Sequence, residues 1–218
     1  ENTILNINHS NPLGFTFTES FPDVAIISQN GGSTFKFTGM DMAEVPHLSI
    51  QGLTNAVSIT TIDDNIYSVL DEDKVKTYGF DSSSMTEIKQ LGIEGLSNPV
   101  AISGTKDYNI AIIEENKVIW YGYTGEEMTE IPALSISAGF TDLKSLAIDK
   151  GRVTVVDNTE VITFLFDGSK MDQVTALSVT SGLAKPSAVA IRPGSNDLLI
   201  VDGTNVDYYS FDGSKMVK

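Results

Sequence analysis

The sequence has no cysteine and only two histidines among its 218 residues. Without cysteine there can be no disulfide bond, no thiol nucleophile and no zinc site built on thiolates. Histidine is the commonest acid–base group and metal ligand near neutral pH, and two histidines cannot form a multi-histidine metal site. We therefore expect no resident cofactor, and the composition argues against several common classes of enzyme.

Basic residues are also scarce. The chain carries 14 lysines and arginines against 29 aspartates and glutamates, for a formal net charge of −15. Nucleic-acid binding needs lysines and arginines that replace the counterions of the phosphates, so this acidic balance argues against a nucleic-acid partner. No apolar run is long enough to span a bilayer, so we expect no membrane insertion.

Five of the six methionines recur along the chain at spacings of 43, 43, 43 and 45 residues. They are Met42, Met85, Met128, Met171 and Met216. A fixed period of this length is typical of repeat proteins, in which each unit buries its apolar face against its neighbours.

Two aromatic residues precede each of these methionines, by seven and by five positions. The pairs are Phe35 and Phe37, Tyr78 and Phe80, Tyr121 and Tyr123, Phe164 and Phe166, and Tyr209 and Phe211. Aromatics separated by one residue lie on the same face of a β-strand, because side chains alternate with period two. Because the pairs recur in every unit, we expect them to fill the core between neighbouring units.

Each unit contains three further predicted strands. Apolar residues three, six and eight positions after the methionine predict one strand. A strand of small and branched residues follows a glycine-containing loop, and another strand precedes the aromatic one. Four antiparallel strands in a repeat of this length are typical of a β-propeller blade. The sequence therefore predicts one all-β domain over residues 1–218, a five-bladed β-propeller, whose strands we letter A to D in each blade.

The two ends of the chain predict how the propeller closes. The last unit ends just after Met216, so we expect it to contain strands A, B and C but no strand D. Leu5 and Ile7, followed by Asn11 and Pro12, match the pattern of a strand D and the loop after it. We therefore expect the N-terminal strand to complete the fifth blade, which would leave no unpaired strand edge.

The chain resembles the NHL-type repeat family, loosely and in all five units. The resemblance is clearest in residues 99–102 (PVAI), 109–113 (NIAII) and 117–121 (KVIWY), and again in 186–191 (PSAVAI) and 198–202 (LLIVD). That family runs a proline and small-apolar strand, an apolar strand and an aromatic strand led by a basic residue. The resemblance implies a propeller used most often for binding, and the residues of its few enzymes are not recognisable in this sequence.

The predicted turns between strands B and C are rich in acidic residues. They form a candidate acidic face of Asp71, Asp73, Glu114, Asp157 and Asp202. These acids either cap tight hairpins and keep the surface soluble, or attract a basic partner or a weakly held Ca²⁺ ion. No EF-hand spacing is present, so the sequence predicts no specific calcium site.

The loops between strands D and A are expected at the same end of the blades. Their candidate ligand-binding residues are His9, Asn11, Asn55, Asn98, Asp142 and Lys185. Short polar side chains suit the recognition of sugar hydroxyls, and they are equally what loops need for their own turns. Sugar sites usually also present exposed aromatic rings, which these loops do not show.

Catalysis is the least supported interpretation. Glycoside hydrolases need two carboxylates about 5 to 9.5 Å apart. The ends of the predicted inner strands supply Asp149 and Arg192, without a second acid. No serine stands in a nucleophile-elbow sequence either. We therefore predict that the protein is not an enzyme, and a glycoside hydrolase or lactonase is the weakest alternative.

Together these patterns predict a binding or assembly module that presents loops on a rigid propeller to a protein or glycan partner. The alternative is a structural building block of a surface layer, filament or virion, which would assemble with its own copies. Because the chain starts at Glu1 rather than methionine, we expect an extracellular or surface-associated location.

Overall fold

The computed structural model describes residues 11–17, 23–38, 41–137 and 139–218. These residues form five four-stranded antiparallel sheets, and the fold is the five-bladed β-propeller that the sequence predicts. The strands are β1 (Gly14–Phe17), β2 (Val24–Ser28), β3 (Gly31–Phe37), β4 (Met42–Glu44), β5 (Ala56–Asp63), β6 (Ile66–Asp71), β7 (Lys74–Phe80), β8 (Met85–Glu87), β9 (Pro99–Thr105), β10 (Asn109–Glu114), β11 (Lys117–Tyr123), β12 (Met128–Glu130), β13 (Leu143–Asp149), β14 (Arg152–Asp157), β15 (Glu160–Phe166), β16 (Met171–Gln173), β17 (Pro186–Ile191), β18 (Leu198–Asp202), β19 (Asn205–Phe211) and β20 (Met216–Val217).

Each blade is an antiparallel meander whose four strands follow one another across the sheet in chain order. Blade 1 contains β1 to β4, and blades 2 to 5 take the later strands in groups of four. The helices of the described chain are four 3₁₀ turns of three residues each, which are too short to cross a membrane. They are Pro46–Leu48, Lys89–Leu91, Pro132–Leu134 and Thr175–Leu177.

Strand D differs from the continuous strand that the sequence predicts. It begins at the recurring methionine, as expected, but its regular part in blades 1 to 4 is only three residues long. The 3₁₀ turn follows, in which the N–H of Leu91 bonds to the carbonyl of Ile88 instead of to strand C. A single bridge between Ile93 and Val75 then returns the chain to the sheet. The prediction of one continuous strand is therefore wrong, because local hydrogen bonds replace the ladder at its centre.

In most aromatic pairs of strand C, only the first of the two rings lies in the core. The first residue of four pairs is buried, as in Tyr78 and Phe164, and Tyr121 of blade 3 is half-buried. The second residue is exposed in three blades, at Phe80, Tyr123 and Phe166. It pairs with the methionine that opens strand D, at the end of the sheet, where little of the blade remains to cover it. The expectation that both rings of each pair are core residues is therefore wrong.

The chain divides into two compact units, which are described separately. Unit 1 contains blades 1 and 2 with Lys106–Tyr108 and Tyr123–Met128 of blade 3, and unit 2 contains the rest of blade 3 with blades 4 and 5. In unit 1, β1 and β2 pack against β5 around a core that includes Ile27, Ile59 and Tyr67.

Unit 2 repeats this packing between its own blades. β9 packs against β13, and β13 and β14 pack against β17. Trp120 of blade 3 is 3% exposed and lies in one hydrophobic cluster with Leu146, Val155 and Phe164 of blade 4. Trp120 therefore lies on the face of β11 that contacts blade 4.

The side-chain pair at the centre of strands B and C differs between blades. Thr77 is fully buried, and its hydroxyl lies 2.9 Å from the carbonyl oxygen of Leu91 and 2.8 Å from the hydroxyl of Ser68. Thr163 and Thr154 form the same pair in blade 4. Blade 3 has Trp120 opposite Ala111 instead, so a large ring over a small side chain replaces the paired hydroxyls.

The fifth blade contains a short strand D. Met216 pairs with Phe211 and Val217 pairs with Ser210, so the expectation that this blade has no strand D of its own is wrong for these two residues. The N-terminal strand predicted around Leu5 and Ile7 lies outside the described residues.

Candidate functional site at the D–A loops

Five of the six predicted ligand-binding residues occupy the same position in their blades. Asn11, Asn55, Asn98, Asp142 and Lys185 each come two residues before an exposed or half-buried side chain at the start of strand A, and all five are exposed. His9 lies outside the described residues. The predicted residues are therefore equivalent positions of the repeat, one from each blade, and we call them the presentation positions.

A carboxylate at the end of strand B holds the loop beneath each presentation position of blades 2 to 5. In blade 2, the backbone N–H groups of Thr54 and Asn55 donate to Asp71 at 2.9 and 2.7 Å. In blade 4, Asp157 accepts the N–H of Asp142 at 2.6 Å. The same contact is made by Ser97 to Glu114 in blade 3, and by Ala184 and Lys185 to Asp202 in blade 5.

The turn between strands B and C holds the same loop from the other side. The N–H of Glu72 donates to the carbonyl of Asn55 at 3.2 Å. Asn158 donates to Asp142 and Gly203 donates to Lys185 in the same way, each at 3.0 Å. Because both backbone polar groups of the residue are bonded, its main chain is constrained while its side chain remains free to vary.

Blade 2 adds a buried ion pair to this arrangement. Asp71 is fully buried, and the Lys76 ammonium lies 2.6 Å from its Oδ2 and donates to the carbonyl of Gly52 at 2.8 Å. Burial raises the pKa of Asp71, but the hydrogen bonds from Lys76, Asn55 and Thr54 outweigh burial and lower that pKa below its ordinary value. Asp71 is therefore a permanent anion at neutral pH.

The candidate acidic face is largely committed to these internal bonds. Asp71 and Asp157 are buried, Glu114 and Asp202 are half-buried, and Asp73 is exposed. Backbone hydrogen bonds lower the pKa of Asp202 as well. Among the described residues no group of three or more histidine, aspartate or glutamate side chains is placed to hold a metal ion. A weakly held Ca²⁺ ion stays a hypothesis.

In blades 2 to 5, a β-bulge at the start of strand A brings a second side chain to the surface next to the presentation position. The register shifts between Ala56 and Ser58 in blade 2, and Val57 is left 38% exposed. Its counterparts Leu13, Val100, Lys144 and Ser187 are exposed or half-buried. The sequence analysis missed this feature, although buried Ala56 and Ile59 are three residues apart, which strict alternation does not allow.

The paired side chains differ in chemistry from blade to blade. Blades 1 to 3 combine an asparagine with an aliphatic residue, as in Asn55 and Val57. Blade 4 combines Asp142 with Lys144, whose ammonium lies 3.2 Å from the Asp142 carboxylate. The loop backbone of blades 2 to 5 thus repeats, while the exposed groups are alike in blades 1 to 3 and change in blades 4 and 5.

The inner-strand residues considered for catalysis are engaged elsewhere. Asp149 lies 3.7 Å from the Arg152 guanidinium, which is buried and donates to Ser195 and Asn196 of blade 5. Arg192 pairs with Asp197, which also accepts the Tyr208 hydroxyl at 2.6 Å.

Asp63, the last residue of β5, is an inner-strand acid that was not predicted from the sequence. Its carboxylate accepts hydrogen bonds from the Tyr108 hydroxyl and from the N–H of Asp64. This carboxylate too is engaged by neighbouring groups.

Solved structures share the fold at low sequence identity. A chain of a nidogen/laminin complex matches with a TM-score of 0.68 at 18% identity, over 95% of this chain and 78% of that chain. A functionally unknown protein from Desulfotomaculum acetoxidans DSM 771 matches with a TM-score of 0.73 at 12% identity, over 98% and 71%. Hsv2 from Kluyveromyces lactis matches with a TM-score of 0.64 at 8% identity, over 95% of this chain and 62% of that chain.

These similarities support the propeller fold. No protein-family model matches the chain, and no curated protein matches it in sequence. The NHL-type resemblance therefore stays a prediction.

Proposed function

We propose that this protein is a non-catalytic binding module that presents the D–A loops to a partner protein. The observation that carries the proposal is the contrast between a repeated loop backbone and varied exposed side chains. The carboxylates of strand B restrain the loops before any partner arrives, which lowers the entropy lost on binding. The fold fixes the backbone of these positions and leaves their side chains exposed. Substitutions there can change the binding specificity while the fold is kept.

A protein partner fits these loops better than a glycan does. Leu13, Val57 and Val100 are between 37 and 52% exposed beside asparagine amides. Protein interfaces combine apolar contacts with hydrogen-bonding groups in this way, whereas sugar sites place an aromatic ring under the pyranose. The nidogen/laminin complex, a protein–protein complex with a chain of this fold, supports the same class of partner.

The test compares variants of the D–A loops with a matched variant at the opposite end of a blade. Asn55→Ala/Val57→Asp and Asn98→Ala/Val100→Asp each remove one amide and one apolar contact. Leu165→Asp is the control, because Leu165 is 37% exposed in strand C of blade 4, close to the 38% of Val57. Thermal unfolding of all variants shows whether each remains folded.

Quantitative cross-linking capture from extracts of the native source is the readout. We expect the wild type and Leu165→Asp to capture at least one protein in similar amounts. The amount captured should be lower by about tenfold or more with either loop variant, as for substitution of a central interface residue. Capture that does not depend on the loops would refute the proposal. Loop-dependent binding on a glycan array in place of a protein would refute the partner class.

A further inference from the structure

Blade 2 carries a groove at the opposite end of its strands from the D–A loops. The groove encloses about 400 Å³ between the A–B turn and the C–D turn. Ile66, Ile88 and Phe80 line its apolar floor, and Asp64 and Asp81 lie at its edge. It therefore combines apolar side chains with two carboxylates, all from one blade.

Gly79 lets Ile88 pack onto strand C beside the groove. A Cβ atom at position 79 would lie 2.7 Å from Cδ1 of Ile88, so a larger residue there would displace that side chain; Gly122 and Ile131 of blade 3 have the same arrangement. Blade 4 has Leu165 at the equivalent position of strand C and Lys150 at the position of Asp64. Blade 4 thus has a bulky side chain in place of the glycine and a positive charge in place of Asp64, which makes it an internal comparison.

The two carboxylates at the groove are available to a cation. Asp64 is exposed, and among the described residues its carboxylate makes no hydrogen bond or ion pair. Oδ1 of Asp81 accepts hydrogen bonds from the side chain of Ser83 and from the N–H groups of Ser84 and Ser83, and these bonds lower the pKa of Asp81. Among the described residues that line the groove there is no lysine or arginine.

Phe80 provides an aromatic surface at the same place. Its ring is 38% exposed and is supported from behind by His47, with the ring centroids 5.3 Å apart. A cation near an aromatic face is stabilised by the quadrupole of the ring, and the methylenes of a lysine or arginine pack on apolar surface.

We propose that this groove receives a lysine or arginine side chain from a basic segment of a partner protein. The aliphatic stem lies along Ile66 and Ile88, and the charged end reaches Asp64 and Oδ2 of Asp81. The net charge of −15 favours the approach of such a segment. This site is separate from the D–A loops and does not depend on their proposed role.

Titration of ¹⁵N-labelled protein with three small probes tests the proposal. The probes are N-acetyl-lysine methylamide, N-acetyl-arginine methylamide and the uncharged N-acetyl-norleucine methylamide. We expect the two cations to shift the amide signals of Asn65, Gly79, Phe80 and Ile88, and norleucine to leave them unchanged. Asp64→Asn should weaken binding about three- to fivefold, as for loss of a partly exposed charge pair.

Two further variants complete the design. Asp64→Lys introduces the residue found in blade 4 and should abolish the shifts. Glu126→Gln removes the same charge from an exposed turn of blade 3 and should leave the affinity unchanged. The proposal is overturned if Asp64→Asn and Glu126→Gln weaken probe binding equally. It is also overturned if the signal shifts spread over all acidic turns, because both results indicate nonspecific attraction. The absence of any shift at saturating probe would overturn it as well.

Discussion

Asp71 and Asp157 at the end of strand B can be compared with Asp81 and Asp167 in the C–D turns, because all four accept hydrogen bonds from backbone N–H groups. Asp167 bonds to residues two and three positions later in the chain, Ser169 and Lys170. Asp71 bonds to Thr54 and Asn55, 17 and 16 positions earlier in the chain. One set closes a local turn, and the other joins two distant segments.

The two sets also differ in burial. Asp71 is fully buried and Asp157 is 7% exposed, whereas Asp81 and Asp167 are exposed. A buried hydrogen bond leaves an unsatisfied group when one partner is removed, but water replaces the partner at an exposed turn. The comparison therefore teaches that the same residue type in the same repeat can be structural at one end of the blade and nearly dispensable at the other.

The largest effect is expected for Asp71→Ala. This change leaves the ammonium of Lys76, whose side chain is only 14% exposed, without its carboxylate and frees the N–H groups of Thr54 and Asn55. Breaking a buried pair in this way should lower the free energy of unfolding by about 4 kcal/mol. Urea denaturation followed by the fluorescence of Trp120 measures it.

If Asp71→Ala lowers the free energy of unfolding by less than about 1 kcal/mol, water reaches the site. Burial would then not distinguish the strand B carboxylates from the C–D turn carboxylates. The control is Asp71→Asn/Lys76→Met, in which the unpaired charge is removed. This double variant should recover part of the lost stability.

Asp157→Ala should have the next largest effect. Asp157 is buried and accepts the N–H groups of Thr141 and Asp142, but it has no lysine partner comparable to Lys76. We expect a loss of about 2 kcal/mol in the same urea experiment. Asp157→Asn keeps one acceptor oxygen and should lower the free energy of unfolding less than Asp157→Ala does. An equal decrease in the two variants would show that the charge matters more than the hydrogen bonds.

Acid should weaken the protein through the carboxylates whose pKa is lowered. The folded-state pKa of Asp71 lies below the unfolded value of about 3.9, so its contribution is complete above that value and is lost as the pH falls toward the folded-state pKa. Urea midpoints between pH 5 and pH 3 should fall more steeply for the wild type than for Asp71→Asn. Parallel curves would contradict this assignment.

Asp167→Ala should have the smallest effect. Hydrogen bonds from the N–H groups of Lys170 and Ser169 and from the Ser169 hydroxyl lower the pKa of Asp167 to about 2, but the group is exposed. We expect Tm to fall by about 2 °C or less, and Asp212→Ala, in the equivalent turn of blade 5, to behave alike. A larger fall, matching that of Asp157→Ala, would remove the distinction between the two ends of the blade.

The periodic features of the fold were predictable from the sequence. The methionine spacing and the alternation of apolar residues led to five blades of four strands, and Met85 and Met171 do open strand D. The presentation positions, Asn55 among them, were also recognised as loop residues. These predictions rest on strand periodicity and turn chemistry, which depend on neighbours in the chain.

Other features depended on contacts that no local pattern contains. The sequence shows Asp71 and Asp73 as two acids in one turn, yet only the packing of the D–A loop buries Asp71 and leaves Asp73 exposed. The exposure of Phe80 follows from the short strand D beside it.

The sequence by itself therefore determined the number of blades, their strand order and the local C–D turns, since each of these arises from interactions within about one repeat. The tertiary structure alone decided which carboxylates became internal supports for the D–A loops. It also decided that Ile66, Phe80 and Ile88 would line a groove in blade 2. Burial and cavity shape depend on which side chains pack together across loops and turns, and residue spacing alone does not show that packing.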